Sequence, residues 1–155
     1  MIKTVLFDLD GTLLNTIDDL ADAGNWVCAQ NGWPTFTVAQ FKMMVGNGIP
    51  KLVERFSPAD ARTPAQLAAT LAQFTARYDA HKEDKTAPYP GIPELVDALN
   101  AAGIQTAVFS NKADPLCGKI IEHYFGAGKF ALVRGSRPNV PTKPDPTGVY
   151  ALMAD

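Results

Sequence analysis

The residues best able to do chemistry in this chain are two aspartates one position apart, followed by glycine and threonine: Asp8-Leu9-Asp10-Gly11-Thr12. They come directly after the apolar run Thr4-Val5-Leu6-Phe7, which reads as a parallel-sheet strand covered on both faces. The carboxyl end of such a strand is where open α/β sheets bind ligands, and Gly11 lets backbone amides approach an anion closely. Two carboxylates at this spacing repel unless they share a divalent cation or one of them keeps a proton. A hard cation such as Mg²⁺ suits them, because it prefers oxygen donors and the company of phosphate. One aspartate can then attack phosphorus as a covalent nucleophile, while the other protonates the leaving oxygen and later activates water. The same spacing also fits an Asx turn in which Asp10 and Thr12 bond only to backbone.

The remainder of the chain must supply a core to position these groups. Its 155 residues suit one folded core, and with 46% hydrophobic and 19% charged residues disorder is excluded as the main reading. Fourteen basic residues against sixteen acidic ones give a net charge of −2. That balance offers no electrostatic footing for nucleic acid or an anionic membrane, and leaves small anionic ligands open. The opening run is too short for a secretory or membrane segment, and Cys28 and Cys117 read as reduced, packed thiols, so a cytoplasmic protein is expected.

A second apolar run, Ile104 to Phe109, follows a helical pattern between Gly91 and Gly103 in which Pro93 suits the first turn and Leu95, Val96, Leu99 and Ala102 share a face. Asp114 is placed to cap the next helix, with Pro115 at its first position and Leu116, Ile120, Ile121 and Tyr124 on its apolar face. Phe130 to Val133 is a third strand candidate. The stretch from Asn15 to His81 differs, holding successive helical patterns and no buried strand. Ile17, Leu20, Ala21, Gly24, Val27 and Cys28 mark its first helix, and Thr37-x-x-Gln40 and Thr63-Pro64-Ala65-Gln66 are capping boxes for two more. Leu67, Leu71, Phe74 and Tyr78 then line one face, and Glu83 to Gly91 is the return linker. The expected fold is α/β, a Rossmann-like parallel sheet core over 1–14 and 84–155, with a helical domain inserted at 15–83 after the first strand.

Taken together, the motifs resemble the haloacid dehalogenase superfamily, in particular its phosphoglycolate phosphatase-like phosphatases. Asp8-Leu9-Asp10-Gly11-Thr12 is similar to the family's first motif, Val108-Phe109-Ser110-Asn111-Lys112 to its second, and Thr142-Lys143-Pro144-Asp145-Pro146 to its third. Tyr89-Pro90-Gly91 resembles the return from the family's helical cap, and Val45-Gly46-Asn47-Gly48 its substrate-facing loop. The resemblance implies that Asp8 is nucleophile and metal ligand, and that Asp10 is the acid/base and reaches Mg²⁺ through its backbone carbonyl. It places Thr12, Ser110, Asn111 and Lys143 at the phosphate, with Lys143 as a compact positive charge where charge stabilisation is the main catalytic need. A small phosphorylated metabolite, 2-phosphoglycolate first, is the implied substrate; a sugar-phosphate mutase is the alternative within the fold. A dehalogenase fits less well, because that branch does not need Asp10.

Other candidates carry less. Gly126-Ala127-Gly128-Lys129 lacks P-loop spacing, His81 and His123 have no partners at metal-ligand spacing, and Arg55 suits either a substrate carboxylate or a solvated helix face. The family's fourth motif, an acidic loop with the remaining metal carboxylates, is expected beyond the helix that begins near Pro146. Asp155 lacks its context and is not assigned to the metal. The expectation is therefore a fragment with the core incomplete at its C-terminus, weak or no activity, and the Thr4–Phe7 strand unpaired on one edge. Such an edge also suits a homodimer or a non-catalytic pairing module.

Overall fold

A computed structural model describes residues 1–154; Asp155, set aside above as a metal ligand, lies outside the described residues. The elements in chain order are β1 (Thr4–Phe7), β2 (Leu14–Asn15), α1 (Ile17–Gln30), α2 (Val38–Met44), α3 (Ile49–Phe56), a 3₁₀ turn (Ala59–Ala61) and α4 (Pro64–His81). They continue with β3 (Ala87–Pro88), α5 (Ile92–Ala101), β4 (Gln105–Ala113), α6 (Asp114–Phe125), β5 (Leu132–Ser136) and α7 (Thr147–Ala154). These form two compact units. One holds Met1–Asn15 and the chain from Ala87 onward, and the other is Thr16–Thr86.

In the first unit β1, β4 and β5 form a parallel sheet in the order β1-β4-β5. Parallel neighbours need long crossovers, and α6 provides the one from β4 to β5. Phe7 pairs in register with Val108 and Val108 with Val133, so the carboxyl ends of all three strands lie together. One face packs Leu9, Leu13, Leu14, Val96, Val108, Cys117, Ile121 and Phe130, and the other packs Ala107, Phe109 and Leu152. β2 and β3 form a separate antiparallel pair, Leu14 opposite Pro88, and Tyr89 N–H donates to Leu13 O at 3.2 Å.

Several expectations about this unit need correction. β1 has one neighbour among the described residues, as expected, but it is not covered on both faces: Thr4 and Leu6 are exposed, Leu6 by 37%. The second strand does not end at Phe109 but runs to Ala113, because a register irregularity between Phe109 and Ala113 lets Ala113 pair with Ser136. The third strand starts later, at Leu132. Phe130 instead packs edge-to-face on Phe7 and Phe125, with centroids 6.3 and 5.5 Å away. In α5 only Val96 is buried, and Leu95 is exposed. Gly103 does take the left-handed φ of +74° that closes that helix. Asp114 is the first residue of α6 rather than its cap, a position held by Ala113.

The second unit is helical. Both capping boxes form: Gln40 N–H donates to Thr37 Oγ1 at 3.2 Å and Thr37 N–H to Gln40 Oε1 at 2.8 Å, and Thr63 and Gln66 repeat the arrangement. Its core is built around Phe41, Phe56, Phe74 and Tyr78, whose rings follow one another at 6.2, 6.0 and 5.7 Å. Gly24 is required on α1 because a Cβ there would lie 2.5 Å from the Phe41 ring. The buried Asp19 carboxylate accepts from the Lys85 and Thr86 amides and the Thr86 hydroxyl, which closes the unit at its C-terminal end. Among the described residues no helix is long and apolar enough to cross a membrane.

Candidate active site

Asp8 directly follows β1, and Asp10 lies in a tight turn that Gly11 makes possible at φ +77°. Gly11 N–H donates to Leu14 O at 2.8 Å, and the amides of Thr12, Leu13 and Leu14 converge on Leu9 O at 3.0–3.3 Å. This folds Leu9 and Leu13 into the core, both fully buried, and leaves the polar residues between them on the rim. Asp8 is about half exposed and holds the Leu9 amide on Oδ1 at 2.7 Å. Thr12 is exposed in the same turn.

Lys143 reaches this point from the loop before α7. Its Nζ is 2.8 Å from Asp8 Oδ1, donates to Phe109 O at 2.9 Å, and lies over the Phe109 ring at 5.7 Å. Asn111 holds the loop: Lys143 N–H donates to Asn111 Oδ1 at 2.8 Å, and Asn111 Nδ2 donates to Lys143 O at 3.2 Å. Asn111 was expected at the phosphate, but here both ends of its amide are engaged by the Lys143 backbone. Ser110 is buried within β4, one residue past Phe109, with Oγ accepting the Lys112 amide at 3.1 Å. The structure thus brings Asp8, Asp10, Ser110, Asn111 and Lys143 to one end of one sheet.

Three residues were not assigned a role at the site from the sequence. Lys112 Nζ stands 3.2 Å from Asp10 Oδ1, with its side chain only 9% exposed. Asp114 accepts the Gly135 amide at 2.7 Å and pairs with Arg137 Nε at 3.2 Å. The Gly135 amide above all, then Arg137, holds the Asp114 carboxyl below its usual value. Gly135 has no room for a side chain: a Cβ would meet Lys112 O at 2.4 Å and Asp114 backbone at 2.6 Å. Only the close approach of β5 to the β4–α6 corner reveals it, and no sequence pattern marks it. Gly135→Ala is expected to cost about 1–3 kcal/mol, since backbone cannot yield as a flexible side chain can. A urea melt checks this; a midpoint unchanged from wild type would contradict it.

The other candidates take structural positions. Arg55 meets neither solvent alone nor an open site: its guanidinium donates to Met44 O at 2.6 Å, Gly46 O at 3.1 Å and Asn47 Oδ1 at 3.1 Å. It therefore braces the Val45–Gly48 loop. His81 ends α4 with Nδ1 2.8 Å from Asp84. Cys28 and Cys117 are buried and free, and burial pushes both thiols up to about 11, so neither is a nucleophile.

As a cation site the turn offers hard oxygen donors and nothing softer. No cluster of three or more His, Cys, Asp or Glu forms among the described residues. Mg²⁺ is commonly held by one or two carboxylates, with water and substrate phosphate completing the octahedron. The half-exposed Asp8 carboxylate and the Asp10 carbonyl fit that mode of binding.

The chain is 36% identical over 153 residues to a phosphoglycolate phosphatase of Caulobacter vibrioides, covering 97% of this chain and 65% of that protein. It is 33% identical over 148 residues to that of Thiobacillus denitrificans, again 65% of that protein. The chain thus spans just under two thirds of the length of these curated relatives. Among solved structures, a protein of Lactobacillus delbrueckii subsp. bulgaricus assigned as a phosphoglycolate phosphatase superposes with a TM-score of 0.89 at 29% identity, over 98% of this chain and 72% of that one. CbbY from Rhodobacter sphaeroides, solved with phosphate, gives 0.72 at 26%, over 98% and 71%. The sequence profile of the haloacid dehalogenase-like hydrolases matches residues 5–155, and the chain belongs to that family.

Proposed function

We propose that this chain belongs to a Mg²⁺-dependent phosphomonoester hydrolase acting on a small phosphorylated metabolite through an aspartyl-phosphate, with 2-phosphoglycolate the favoured substrate. The observation that carries this reading is the 2.8 Å approach of Lys143 Nζ to Asp8 Oδ1, at the strand end where open α/β sheets bind ligands. The ammonium aims the Asp8 carboxylate, and the same charge meets the phosphoryl oxygens as they arrive.

Asp8 attacks phosphorus, so that a bond from its carboxylate oxygen to phosphorus forms as the bond to the leaving oxygen breaks. Asp10 gives its proton to that oxygen. It then takes a proton from water, whose oxygen attacks phosphorus and releases the Asp8 carboxylate and inorganic phosphate. Ser110 and Thr12 supply hydroxyl donors to the phosphoryl oxygens, and Asn111 keeps the Lys143 loop in place. When bound, Mg²⁺ adds positive charge against the transferring phosphoryl group, held by the Asp8 carboxylate and the Asp10 carbonyl.

In this reading the helical unit, expected at 15–83 and found as Thr16–Thr86, is the substrate-selecting cap, and the core, expected at 1–14 and 84–155, is the remaining unit. The substrate choice is supported by the phosphoglycolate phosphatases among the relatives, and buried free thiols suit a cytoplasmic protein. A mutase would pass the phosphoryl group from Asp8 to a second hydroxyl instead of water. Phosphate release from 2-phosphoglycolate, with and without Mg²⁺, tests the proposal. Mg²⁺-dependent release supports it, whereas transfer between sugar hydroxyls without release supports the mutase. The exposed β1 edge is where a homodimer would form, and light scattering at a monomer's mass would remove that possibility.

A further inference from the structure

Lys112 belongs to the second motif by sequence, and its side chain is largely buried against the first motif. Its ammonium stands 3.2 Å from Asp10 Oδ1, with the lysine side chain 9% and the aspartate 23% exposed. That oxygen is buried and accepts no hydrogen bond among the described residues, so the attraction is that of charge for charge, strengthened by the low local dielectric. The backbone beneath Lys112 is fixed from three sides. Its amide donates to Ser110 Oγ at 3.1 Å, its carbonyl accepts Cys117 Sγ–H at 3.5 Å, and Gly135 packs so closely that a Cβ would lie 2.4 Å from the same carbonyl. The β4 irregularity between Phe109 and Ala113 falls across this residue and re-aims it, as bulges beside active sites do.

We propose that Lys112 is the positioning residue for Asp10: it holds Oδ1, which leaves Oδ2 to carry the proton to the leaving oxygen. The proposal rests on the reading of Asp10 as the acid. Lys112 and Lys143 then divide the work, each ammonium fixing one of the two aspartates. A carboxylate on a turn whose rotamer is free would present its proton at varying angles, and loss of alignment is costly in proton transfer.

The test compares two esters. Departure of the glycolate oxygen needs a proton, whereas p-nitrophenolate leaves without one. Lys112→Met should lower kcat on 2-phosphoglycolate by about 100-fold, the low end of what a positioned acid contributes, with KM little changed. The loss on p-nitrophenyl phosphate should be far smaller. Lys112→Arg should restore much of the rate. Equal losses on both esters would overturn the proposal, since a general structural defect affects every substrate alike. A second readout needs no turnover: in the chain alone, the Lys112 side-chain ammonium resonance should shift on Asp10→Asn. An unmoved resonance overturns the pairing. A wild-type chain that hydrolyses neither ester overturns the proposed function instead, and the resonance then decides the positioning of Asp10 by itself.

Discussion

Asp8→Asn is expected to abolish phosphoryl transfer while leaving the fold standing. An amide of the same shape has no negative charge with which to attack phosphorus, and removal of a covalent nucleophile typically costs on the order of 10⁴-fold or more in kcat. The fold should survive because Asp8 is half exposed and follows β1. Its pair with Lys143 is open to solvent on both sides, and such ion pairs contribute little to stability. Phosphate release from 2-phosphoglycolate and a thermal melt measure the two halves of the prediction. Turnover within tenfold of wild type would mean that water attacks the ester directly.

Phe56→Ala should produce the largest loss of stability. Phe56 is 1% exposed and stands between Phe41 and Phe74 in the ring series of the helical unit. Truncation deletes the centre of that series and leaves a cavity that the rigid helices on either side can fill only in part, a change worth about 3–5 kcal/mol. Both tryptophans, Trp26 and Trp33, belong to the Thr16–Thr86 unit, so their fluorescence during urea unfolding reports on it. A midpoint shift equivalent to less than about 1 kcal/mol would show that the site relaxes far more than typical cores do.

The legible parts of the molecule were those in which local chemistry dictates local structure. Thr37 and Thr63 announce helices because a hydroxyl three residues before a glutamine satisfies orphan amides whatever the rest of the chain does. Asp8 and Asp10 stood out for a similar reason: two charges at the end of an apolar run need a shared partner. Strand ends were harder to read, because pairing across the sheet decides where β4 and β5 stop. The apolar run predicted Phe109, and the neighbour carried the strand to Ala113. β1 read as doubly covered because Thr4 to Phe7 are mostly apolar, yet Leu6 is 37% exposed.

At the site the same distinction holds. Lys143 could be placed by motif resemblance, but the sequence cannot show that Asn111 grips the Lys143 backbone rather than a ligand. Lys112 was visible in the motif and silent about its target, because the β4 irregularity that turns it toward Asp10 arises only when β4 meets β5. Asp114 looked like a helix cap on residue type alone; its carboxylate is drawn away by the Gly135 amide 21 residues later.

The central claim is that Asp8 becomes covalently phosphorylated. It can be tested by mixing the chain with 2-phosphoglycolate and Mg²⁺, quenching in acid, and reducing any acyl phosphate with borohydride, which converts an aspartyl-phosphate to homoserine. Peptide mass spectrometry then reads position 8. The mechanism predicts homoserine at residue 8, dependent on Mg²⁺ and absent without substrate, with Asp10 unaltered. An unmodified Asp8 in a sample that releases phosphate, or homoserine at position 10, would contradict it.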